Sequence, residues 1–262
     1  MHIFQSLNAR WQNYQLTHFA YTKWGQNLHN LKNVYAGKRC FIIGNGPSLR
    51  AEDLERLKNE YTFAFNRIYY IFDQTSWRPT FYCTQDAKIA QASVDEVREK
   101  VNTPYIFAPI NLKWYEGVDL ESDYFFSPRQ AGENVPEFSE NIPDHIGVGN
   151  TVAYTAIQLA AYMGFAEIYL LGVDHSFRTY QDKNGTVITD PGAKDYFCEQ
   201  YNQDKDRLFI PRLDVSTLSY MAAQAYAENH PVTIYNATRG GKLEVFPRVE
   251  FDALFDEKEP LS

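Results

Sequence analysis

The segment at residues 39–48 (RCFIIGNGPS) constrains the fold more than any other part of the sequence. Its first half is a continuous apolar run, which is typical of a strand covered on both faces of a parallel sheet. Two glycines then interrupt the run, and residues 51–59 show helical periodicity through Leu54 and Leu57. A strand, a glycine turn and a helix in this order predict the first unit of an α/β sheet.

Apolar runs and helical patterns continue this alternation along the chain. A helix of small and apolar residues is predicted from Thr151, which can cap it, to Met163, with Gly164 as its stop. A later helix is predicted to begin at Asp214 or Ser216. The other predicted strands are residues 62–65, 80–84, 105–108, 124–126, 167–173 and 232–235. We therefore predict an α/β fold with a Rossmann-like, doubly wound, mostly parallel sheet.

Three segments fall outside this alternation. Residues 1–36 carry aromatic and leucine side chains at helical spacing, which predicts an amphipathic helical appendage to a main domain at residues 37–262. Residues 109–148 are rich in Pro, Asn, Asp and Gly and are predicted to be irregular, apart from the short strand. The polar stretch at residues 176–212 is long enough to form a lid over a ligand site.

Charge and cysteine content narrow the classes of partner. The 262-residue chain carries 25 Lys and Arg against 33 Asp and Glu, a formal net charge of −8. This balance argues against a nucleic-acid polymer as partner, because proteins that bind one usually present a basic surface. Cys40, Cys83 and Cys198 lack metal-ligand spacing and indicate a reducing compartment.

No targeting or spanning segment is apparent in the sequence. There is no apolar run of 18 residues, so no transmembrane segment is predicted. The first residues lack the charged end and apolar middle of a signal peptide. We therefore expect a cytoplasmic protein, with the inner face of the membrane as the alternative location.

The turn at residues 44–48 (GNGPS) is the strongest candidate ligand site. In parallel α/β sheets, ligands bind beyond the carboxyl ends of the strands, close to a crossover. A helix that follows the turn would offer free N–H groups and a positive dipole end to a phosphate. Leu49 stands where a dinucleotide fingerprint needs Gly or Ala, and no Walker A sequence occurs. The alternative is a structural turn in which Ser48 caps the helix.

Polar residues at the next two strand ends are expected to reach the same edge of the sheet. Asn66 follows an apolar strand and suits the edge of a nucleobase or sugar; the alternative is a turn-forming asparagine. Gln85 and Asp86 follow the next strand. Asp86 has three interpretations, namely a ligand carboxylate, a metal ligand or a helix cap. One carboxylate does not justify a metal site, so none is predicted.

A further strand ends in Gly172-Val-Asp-His175. His175 is the candidate proton-transfer residue, because histidine titrates near neutral pH. Asp174 precedes it, but adjacent residues on an extended chain point in opposite directions, so Asp174 need not orient the imidazole. His145 is a weaker candidate. The absence of GxSxG and HExxH sequences argues against an ordinary hydrolase.

Taken in order, these residues resemble a known family. The blocks are residues 41–49 (FIIGNGPSL), Asn66, the Gly-Asn-Thr turn at 149–151 before the alanine-rich helix, and residues 164–174 (GFAEIYLLGVD). They resemble the MptE-like family, which is named for an archaeal 6-hydroxymethylpterin diphosphokinase, and the small bacterial sialyltransferases that use CMP-sialic acid. The resemblance covers about residues 38–180.

The resemblance implies a nucleotide site whose residues carry over by position. The turn would hold the phosphate and ribose, Asn66 would lie near the donor, and Thr151 would face the cytidine. Gln85 and Asp86 match a strand end that bears an asparagine in the sialyltransferases. The residues expected at the nucleotide are Gly44, Asn45, Gly46, Pro47, Ser48, Asn66, Gln85, Asp86, Asn150, Thr151, Gly172, Asp174, Ser176 and Tyr180.

Two departures from the sialyltransferase pattern concern catalysis. Those enzymes place two tyrosines after the strand to bind the departing phosphate, whereas Ser176 takes the first place here and Tyr180 is the candidate for the second. They also use a histidine of the following loop as base, and residues 178–211 contain none. The candidates for the base are therefore His175, Tyr196 and Asp195.

The resemblance leaves three functions open. The first is a glycosyltransferase that moves a sialic-acid-like sugar from a CMP-linked donor to a surface glycan or protein acceptor and requires no cofactor. The second is an ATP- and Mg²⁺-dependent kinase of a pterin alcohol, for which Asp86 and Asp174 are the candidate metal carboxylates. The third is a nucleotide-binding protein without catalysis. Residues 1–36 are the candidate surface for a homo-oligomer.

Overall fold

The computed structural model describes residues 2–130, 132, 136–202 and 209–256. The centre of the molecule is a seven-stranded parallel sheet in the order β11-β8-β1-β2-β3-β4-β5, flanked by helices. The strands are β1 Arg39–Ile43, β2 Tyr61–Phe65, β3 Phe81–Cys83, β4 Tyr105–Pro109, β5 Tyr124–Phe126, β6 Pro128–Arg129, β7 Ile146–Gly147, β8 Glu167–Leu171, β9 Thr179–Gln181, β10 Val187–Thr189 and β11 Thr233–Asn236. The helices are α1 His2–Thr17, α2 Lys23–His29, α3 Ala51–Glu55, α4 Ala87–Lys100, α5 Ile110–Tyr115, α6 Val152–Tyr162 and α7 Leu213–Ala227. The predicted Rossmann-like, doubly wound α/β fold is confirmed.

The sheet has its crossover between β1 and β8. From β1 the strands are added on one side through β5, and the chain then returns to place β8 and β11 on the other side. β1 and β8 pair in register, from Arg39 opposite Glu167 to Ile43 opposite Leu171. Their carboxyl ends therefore open side by side, at the position where doubly wound sheets bind ligands.

Aromatic side chains cover both faces of the sheet. On one face, the ring of Phe41 stacks on that of Tyr169 with centroids 5.2 Å apart. Phe41 lies opposite Thr62 in the ladder, so the next residue, Phe63, projects to the other face. There it stacks on Phe81 with centroids 4.4 Å apart. Two buried faces explain why β1 and β2 read as continuous apolar runs.

Residues 2–29 form α1, a short 3₁₀ turn and α2. The Thr22 hydroxyl caps α2 by accepting a hydrogen bond from the Gly25 amide at 3.1 Å. The indole of Trp24 contacts the rings of Trp114 and Phe125, with centroids 6.0 and 6.2 Å apart. This segment therefore packs on α5 and β5, and its predicted role in a homo-oligomer stays a prediction. Among the described helices, none combines the length and apolar character that crossing a bilayer requires.

Three local predictions need correction. The region at 109–148 contains α5, whose six residues bury Ile110 and Leu112 but are too few to show a clear helical period. The helix after the glycine turn, α3, spans five residues where the pattern predicted nine. Thr151 occupies the N-cap position of α6, but its side chain makes no cap bond. Its hydroxyl lies 3.3 Å from the hydroxyl of Tyr220 instead.

Candidate functional site

A cavity of about 480 Å³ lies along the carboxyl ends of the sheet strands. Its walls include residues that follow β8, β1, β2, β3 and β4, together with the N-terminus of α6 and part of α7. The volume falls in the range of small-molecule sites. The cavity therefore occupies the crossover position that the topology alone favours.

The structure brings most of the predicted site residues to this cavity. The predicted residues that line it are Gly44, Asn45, Gly46, Asn66, Gln85, Asp86, Asn150, Thr151, Gly172, Asp174, His175, Ser176, Asp195 and Tyr196. Pro47, Ser48 and Tyr180 are not among the lining residues. Tyr180 lies in β9, which forms a hairpin with β10. Residues 203–208 of the predicted lid lie outside the described residues. The binding roles of all these residues stay predictions.

The floor of the cavity is a close approach between two backbones. The amide of Gly44 donates to the carbonyl of Leu171 at 2.8 Å, and the amide of Gly46 donates to that of Gly172 at 2.9 Å. A Cβ added at Gly44 would overlap the Gly172 carbonyl, and one added at Gly46 would overlap the carboxylate of Asp174. Glycine is required at both places because neighbouring atoms fill the space of any side chain.

The structure does not place the N-terminus of α3 directly at the turn, and phosphate binding there stays a prediction. α3 begins only at Ala51, after Leu49 and Arg50, and its first turn carries Glu52 and Asp53. These acidic side chains oppose an anion at that helix end. The amides of Gly44 and Gly46 are also already donated within the floor.

Ser48 does not cap α3, so the capping role in the structural alternative is wrong. The hydroxyl of Ser48 donates to Oδ2 of Asp174 at 2.7 Å, and the Ser48 amide donates to the same oxygen at 3.4 Å. Asp174 is 7% exposed, and burial raises the pKa of its carboxyl. The turn and the end of β8 are therefore joined by a buried carboxylate.

Amide side chains from two neighbouring strand ends converge on the cavity. Nδ2 of Asn45 donates to the carbonyl of Phe65 at 3.1 Å, and its buried Oδ1 has no hydrogen-bond partner among the described residues. Asn66 has a left-handed backbone, with φ of 47°, and its Oδ1 accepts from the Thr84 hydroxyl at 3.0 Å. An orphaned buried acceptor such as Oδ1 of Asn45 is suited to a ligand hydroxyl or N–H group.

Gln85 and Asp86 both line the cavity at the end of β3. Oε1 of Gln85 accepts from the Thr155 hydroxyl of α6 at 2.7 Å. Oδ1 of Asp86 accepts from the amide of Ile89 at 3.0 Å, so Asp86 is the N-cap of α4, one of its three interpretations. Burial raises the pKa of Asp86. The described residues contain no group of three or more potential metal ligands.

His175 follows β8 and has a left-handed backbone, with φ of 51°. Its Nε2 lies 2.8 Å from the hydroxyl of Thr217 on α7, and its ring meets that of Tyr220 edge-on at 5.6 Å. Burial lowers the pKa of His175 to about 4. The imidazole is therefore neutral at pH 7 and has a free lone pair, but the same burial makes it a weaker base than an exposed histidine.

The other two candidates for the base differ in their surroundings. The ring of Tyr196 stacks on Tyr201 with centroids 3.8 Å apart. Burial raises the pKa of Tyr196 well above its usual value, which disfavours Tyr196 as a proton acceptor at neutral pH. Asp195 lines the cavity, and its Oδ1 accepts from the Arg178 amide. Its role as a base stays a prediction.

Sequence reasoning missed Tyr201 and Arg67. Tyr201 is 1% exposed and lies under the ring of Tyr196. The guanidinium of Arg67 donates to the carbonyl of Tyr201 at 3.0 Å, and the amide of Phe197 donates to the carbonyl of Asn45 at 3.0 Å. The segment at 195–202 is thereby fixed over the ends of β1 and β2. The arginine at position 67, directly after Asn66 at the strand end, was the available signal.

The contribution of α7 was also missed. Hydroxyls of this helix hold the turn before α6: Ser219 donates to the carbonyl of Gly149 at 2.7 Å, and Ser216 donates to that of Asn150 at 3.3 Å. Within this turn, the backbone of Asn150 lies in the left-handed region, with φ of 53°. The spacing of Ser216, Ser219 and Tyr220 places them on one helix face, which was the available signal.

The solved structure of the MAf glycosyltransferase shows the same fold. The MAf glycosyltransferase from Magnetospirillum magneticum AMB-1 superposes with a TM-score of 0.51 and 15% identity, covering 90% of this chain and 39% of that chain. This chain thus spans well under half of MAf. The sialyltransferase CstII from Campylobacter jejuni, in complex with the substrate analogue cytidine-5'-monophosphate, gives a TM-score of 0.45 and 16% identity, covering 82% and 85% of the two chains.

Sequence comparison gives the family. Among curated proteins, none matches the sequence. The family described as 6-hydroxymethylpterin diphosphokinase MptE-like matches residues 13–180, which include the glycine turn, the Asn66 strand end and all of β8. This match extends over more than half of the chain and confirms the resemblance seen in the sequence blocks. The protein belongs to the MptE-like family.

Proposed function

We propose that the protein is a glycosyltransferase that uses a nucleotide-activated sugar, CMP-linked and sialic-acid-like, in surface-glycan or glycoprotein synthesis. The observation that carries this proposal is the crossover cavity, which is lined by a glycine floor, two asparagine side chains and a half-buried neutral histidine. The fold shared with MAf, a protein described as a glycosyltransferase, supports the reaction class. The sialyltransferase-like sequence blocks support the CMP-linked donor.

The nucleotide is expected at the β1–β2 end of the cavity. The orphaned Oδ1 of Asn45 offers an acceptor to a ribose hydroxyl or a cytosine amino group. Among the described lining residues, Arg212 has the only lysine or arginine side chain, and it forms an ion pair with Asp214 at 2.8 Å. We propose that the guanidinium of Arg212 balances the negative charge of the donor phosphate.

The transfer step is a substitution at the anomeric carbon of the donor. The acceptor oxygen bonds to this carbon while the bond from the carbon to the phosphate oxygen breaks, and its electron pair leaves with the nucleotide monophosphate. The proton of the acceptor hydroxyl passes to the neutral imidazole of His175. Segment 195–202 forms part of the wall that limits water access.

One structural observation supports the kinase alternative. Asp86 and Asp174 both line the cavity, and Mg²⁺ is commonly held by one or two carboxylates together with substrate phosphates. One oxygen of each carboxylate already accepts a hydrogen bond within the protein. Asp86 accepts from the amide of Ile89, and Asp174 accepts from the hydroxyl of Ser48. The family description names such a kinase, so ATP with Mg²⁺ belongs in the test.

A thermal-shift panel separates the transferase from the kinase. A ligand at 100 times its Kd adds about 2.7 kcal/mol of stability. Stabilisation by CMP or CDP without metal is the expected result. Stabilisation by ATP only with Mg²⁺ would replace the proposal with the kinase, and no response to any nucleotide would contradict the proposal.

Asn45→Ala is the matched test of the site. It removes the orphaned Oδ1 and should weaken the CMP response. Asn102→Ala, at an exposed position outside the cavity, is the control and should respond as the unmodified protein does. An unchanged CMP response in Asn45→Ala would show that the turn is only structural.

A further inference from the structure

Two consecutive hydrogen bonds link the imidazole of His175 to the backbone of α7. Nε2 of His175 lies 2.8 Å from Oγ1 of Thr217, and Oγ1 of Thr217 donates to the carbonyl of Leu213 at 2.7 Å. A threonine hydroxyl has one proton, and a carbonyl oxygen can only accept. In the arrangement with both bonds formed, the hydroxyl proton is donated to Leu213. Oγ1 can only accept from the imidazole, which requires a proton on Nε2 of His175.

These hydrogen bonds leave Nδ1 of His175 unprotonated. A neutral imidazole carries one N–H group, so a proton on Nε2 makes Nδ1 the lone-pair atom. Among the described residues, the contacts of the ring are the Thr217 hydroxyl and the edge-on ring of Tyr220, and neither group carries a charge at neutral pH. The hydroxyl of Tyr220 lies by Thr151, 3.3 Å from its Oγ1. The described contacts therefore give the ring one hydrogen bond, and it lies on the Nε2 side.

The backbone at His175 is consistent with a functional constraint. A φ of 51° is uncommon for a residue other than glycine, and such conformations persist where the surroundings fix them. The carboxylate of Asp174 is bound to Ser48, on the turn. The orientation of the imidazole is therefore set by α7, which is distant in sequence, rather than by the adjacent carboxylate.

We propose that Thr217 is a positioning residue that fixes the Nε2–H tautomer of His175 and so makes Nδ1 the atom that accepts the acceptor's proton. This inference rests on the proposed function for its catalytic meaning. In the transfer step, the acceptor O–H proton moves to Nδ1 as the new C–O bond forms, and the leaving nucleotide takes the electron pair of the broken bond. The resulting imidazolium keeps its Nε2–H bond to Thr217. Thr217 thus supplies the orientation that a carboxylate supplies in many histidine bases.

The first test is independent of any substrate. Nitrogen NMR of the ¹⁵N-histidine-labelled full chain at pH 7 distinguishes the two neutral tautomers. The expected result for His175 is a protonated Nε2 and an unprotonated Nδ1. Thr217→Val should remove this preference, and Thr217→Ser should keep it, because serine retains the hydroxyl. A protonated Nδ1 in the unmodified protein would overturn the proposal.

The second test measures transfer with CMP-N-acetylneuraminic acid as the donor, read as CMP release. Thr217→Val should lower kcat at least about tenfold, within the range of general-base effects, and leave KM for the donor unchanged. Thr217→Ser should restore most of kcat, and Thr233→Val, at an exposed threonine of β11, is the control. Full kcat in Thr217→Val would refute the positioning role. A lack of turnover in the unmodified protein would count against the proposed function, while the NMR result would still decide the tautomer.

Discussion

The carboxylate of Asp174 occupies the space that a side chain at position 46 would need. A Cβ built on Gly46 overlaps Oδ2 of Asp174 and lies 2.7 Å from the carbonyl oxygen of Gly172. The same Oδ2 accepts the hydroxyl of Ser48. Gly46, Ser48 and Asp174 therefore form one unit that joins the glycine turn to the end of β8.

Gly46→Ala should destabilise the protein by about 2 kcal/mol or more. The added methyl group forces a shift of either a buried carboxylate or a strand-end carbonyl, and overpacking of this kind typically costs about 1–3 kcal/mol. Urea denaturation measures the loss. Gly192→Ala is the control, because a Cβ there meets Oδ1 of Asp190 at an ordinary 3.5 Å, and its effect should stay within about 0.5 kcal/mol. Equal stability of the two variants would contradict the close approach.

Ser48→Ala should cost about 1–2 kcal/mol. The substitution removes the hydroxyl that donates to the buried carboxylate of Asp174 at 2.7 Å, and hydrogen bonds to charged groups are worth about 1.5–3 kcal/mol. Exposed Ser76 provides the control substitution to alanine. If both variants unfold at the same urea concentration as the unmodified protein, the Ser48–Asp174 bond contributes nothing to stability.

Stability should depend on pH through His175. Burial lowers the pKa of His175 from 6.5 to about 4, so the unfolded chain binds a proton in this interval that the folded chain does not. The contribution of the neutral ring is therefore complete above pH 6.5 and is lost as the pH falls toward 4. Between pH 7.5 and 5 the loss amounts to about 2 kcal/mol.

His175→Gln isolates this effect from that of other titrating groups. The difference in unfolding free energy between the unmodified protein and the variant should move by about 2 kcal/mol in favour of the variant between pH 7.5 and 5. Denaturation curves at three pH values across this interval provide the measurement. A difference that stays constant with pH would mean that the folded protein protonates His175 as readily as the unfolded chain does.

Gln158→Leu should destabilise the protein by about 3 kcal/mol. The fully buried amide of Gln158 accepts from the amides of Ser139 and Gly147 at 2.9 and 3.0 Å and donates to the carbonyl of Gly147 at 2.9 Å. Leucine leaves these buried backbone groups unpaired, each at a cost of about 1–3 kcal/mol. Gln91→Leu, at an exposed position on α4, should change the unfolding free energy by less than about 0.5 kcal/mol. A small change in unfolding free energy for Gln158→Leu would show that the backbone groups of Ser139 and Gly147 find other hydrogen-bond partners.

Local patterns were sufficient for the parts of the fold that are continuous in sequence. The apolar run of β1, the glycine turn and the block that ends at Asp174 each have a strong short-range pattern. Parallel topology then brings all strand ends to one edge, so Asn66 and Asp86 could be placed together without coordinates. α5 escaped prediction because its six residues are fewer than two helical turns.

The relations that complete the site depend on long-range folding. Thr217 reaches His175 across 42 residues, and the hydroxyl of Tyr201 accepts from Asn45 across 156 residues at 3.4 Å. The periodicity of α7 shows that one of its faces is buried, but it does not show which segment covers that face. The segment at 195–202 has no regular period, so its return over β1 and β2 follows only from tertiary packing.

The contact between Gly44 and Gly172 has a consequence for how chemistry is distributed in this fold. The base of the cavity consists of peptide groups, and the side chains around it come from α6, α7 and the strand ends of β2 and β3. Substitutions in those elements would change the walls of the cavity and leave the two strand ends at its base unchanged. One base of peptide groups can therefore be combined with different sets of surrounding side chains.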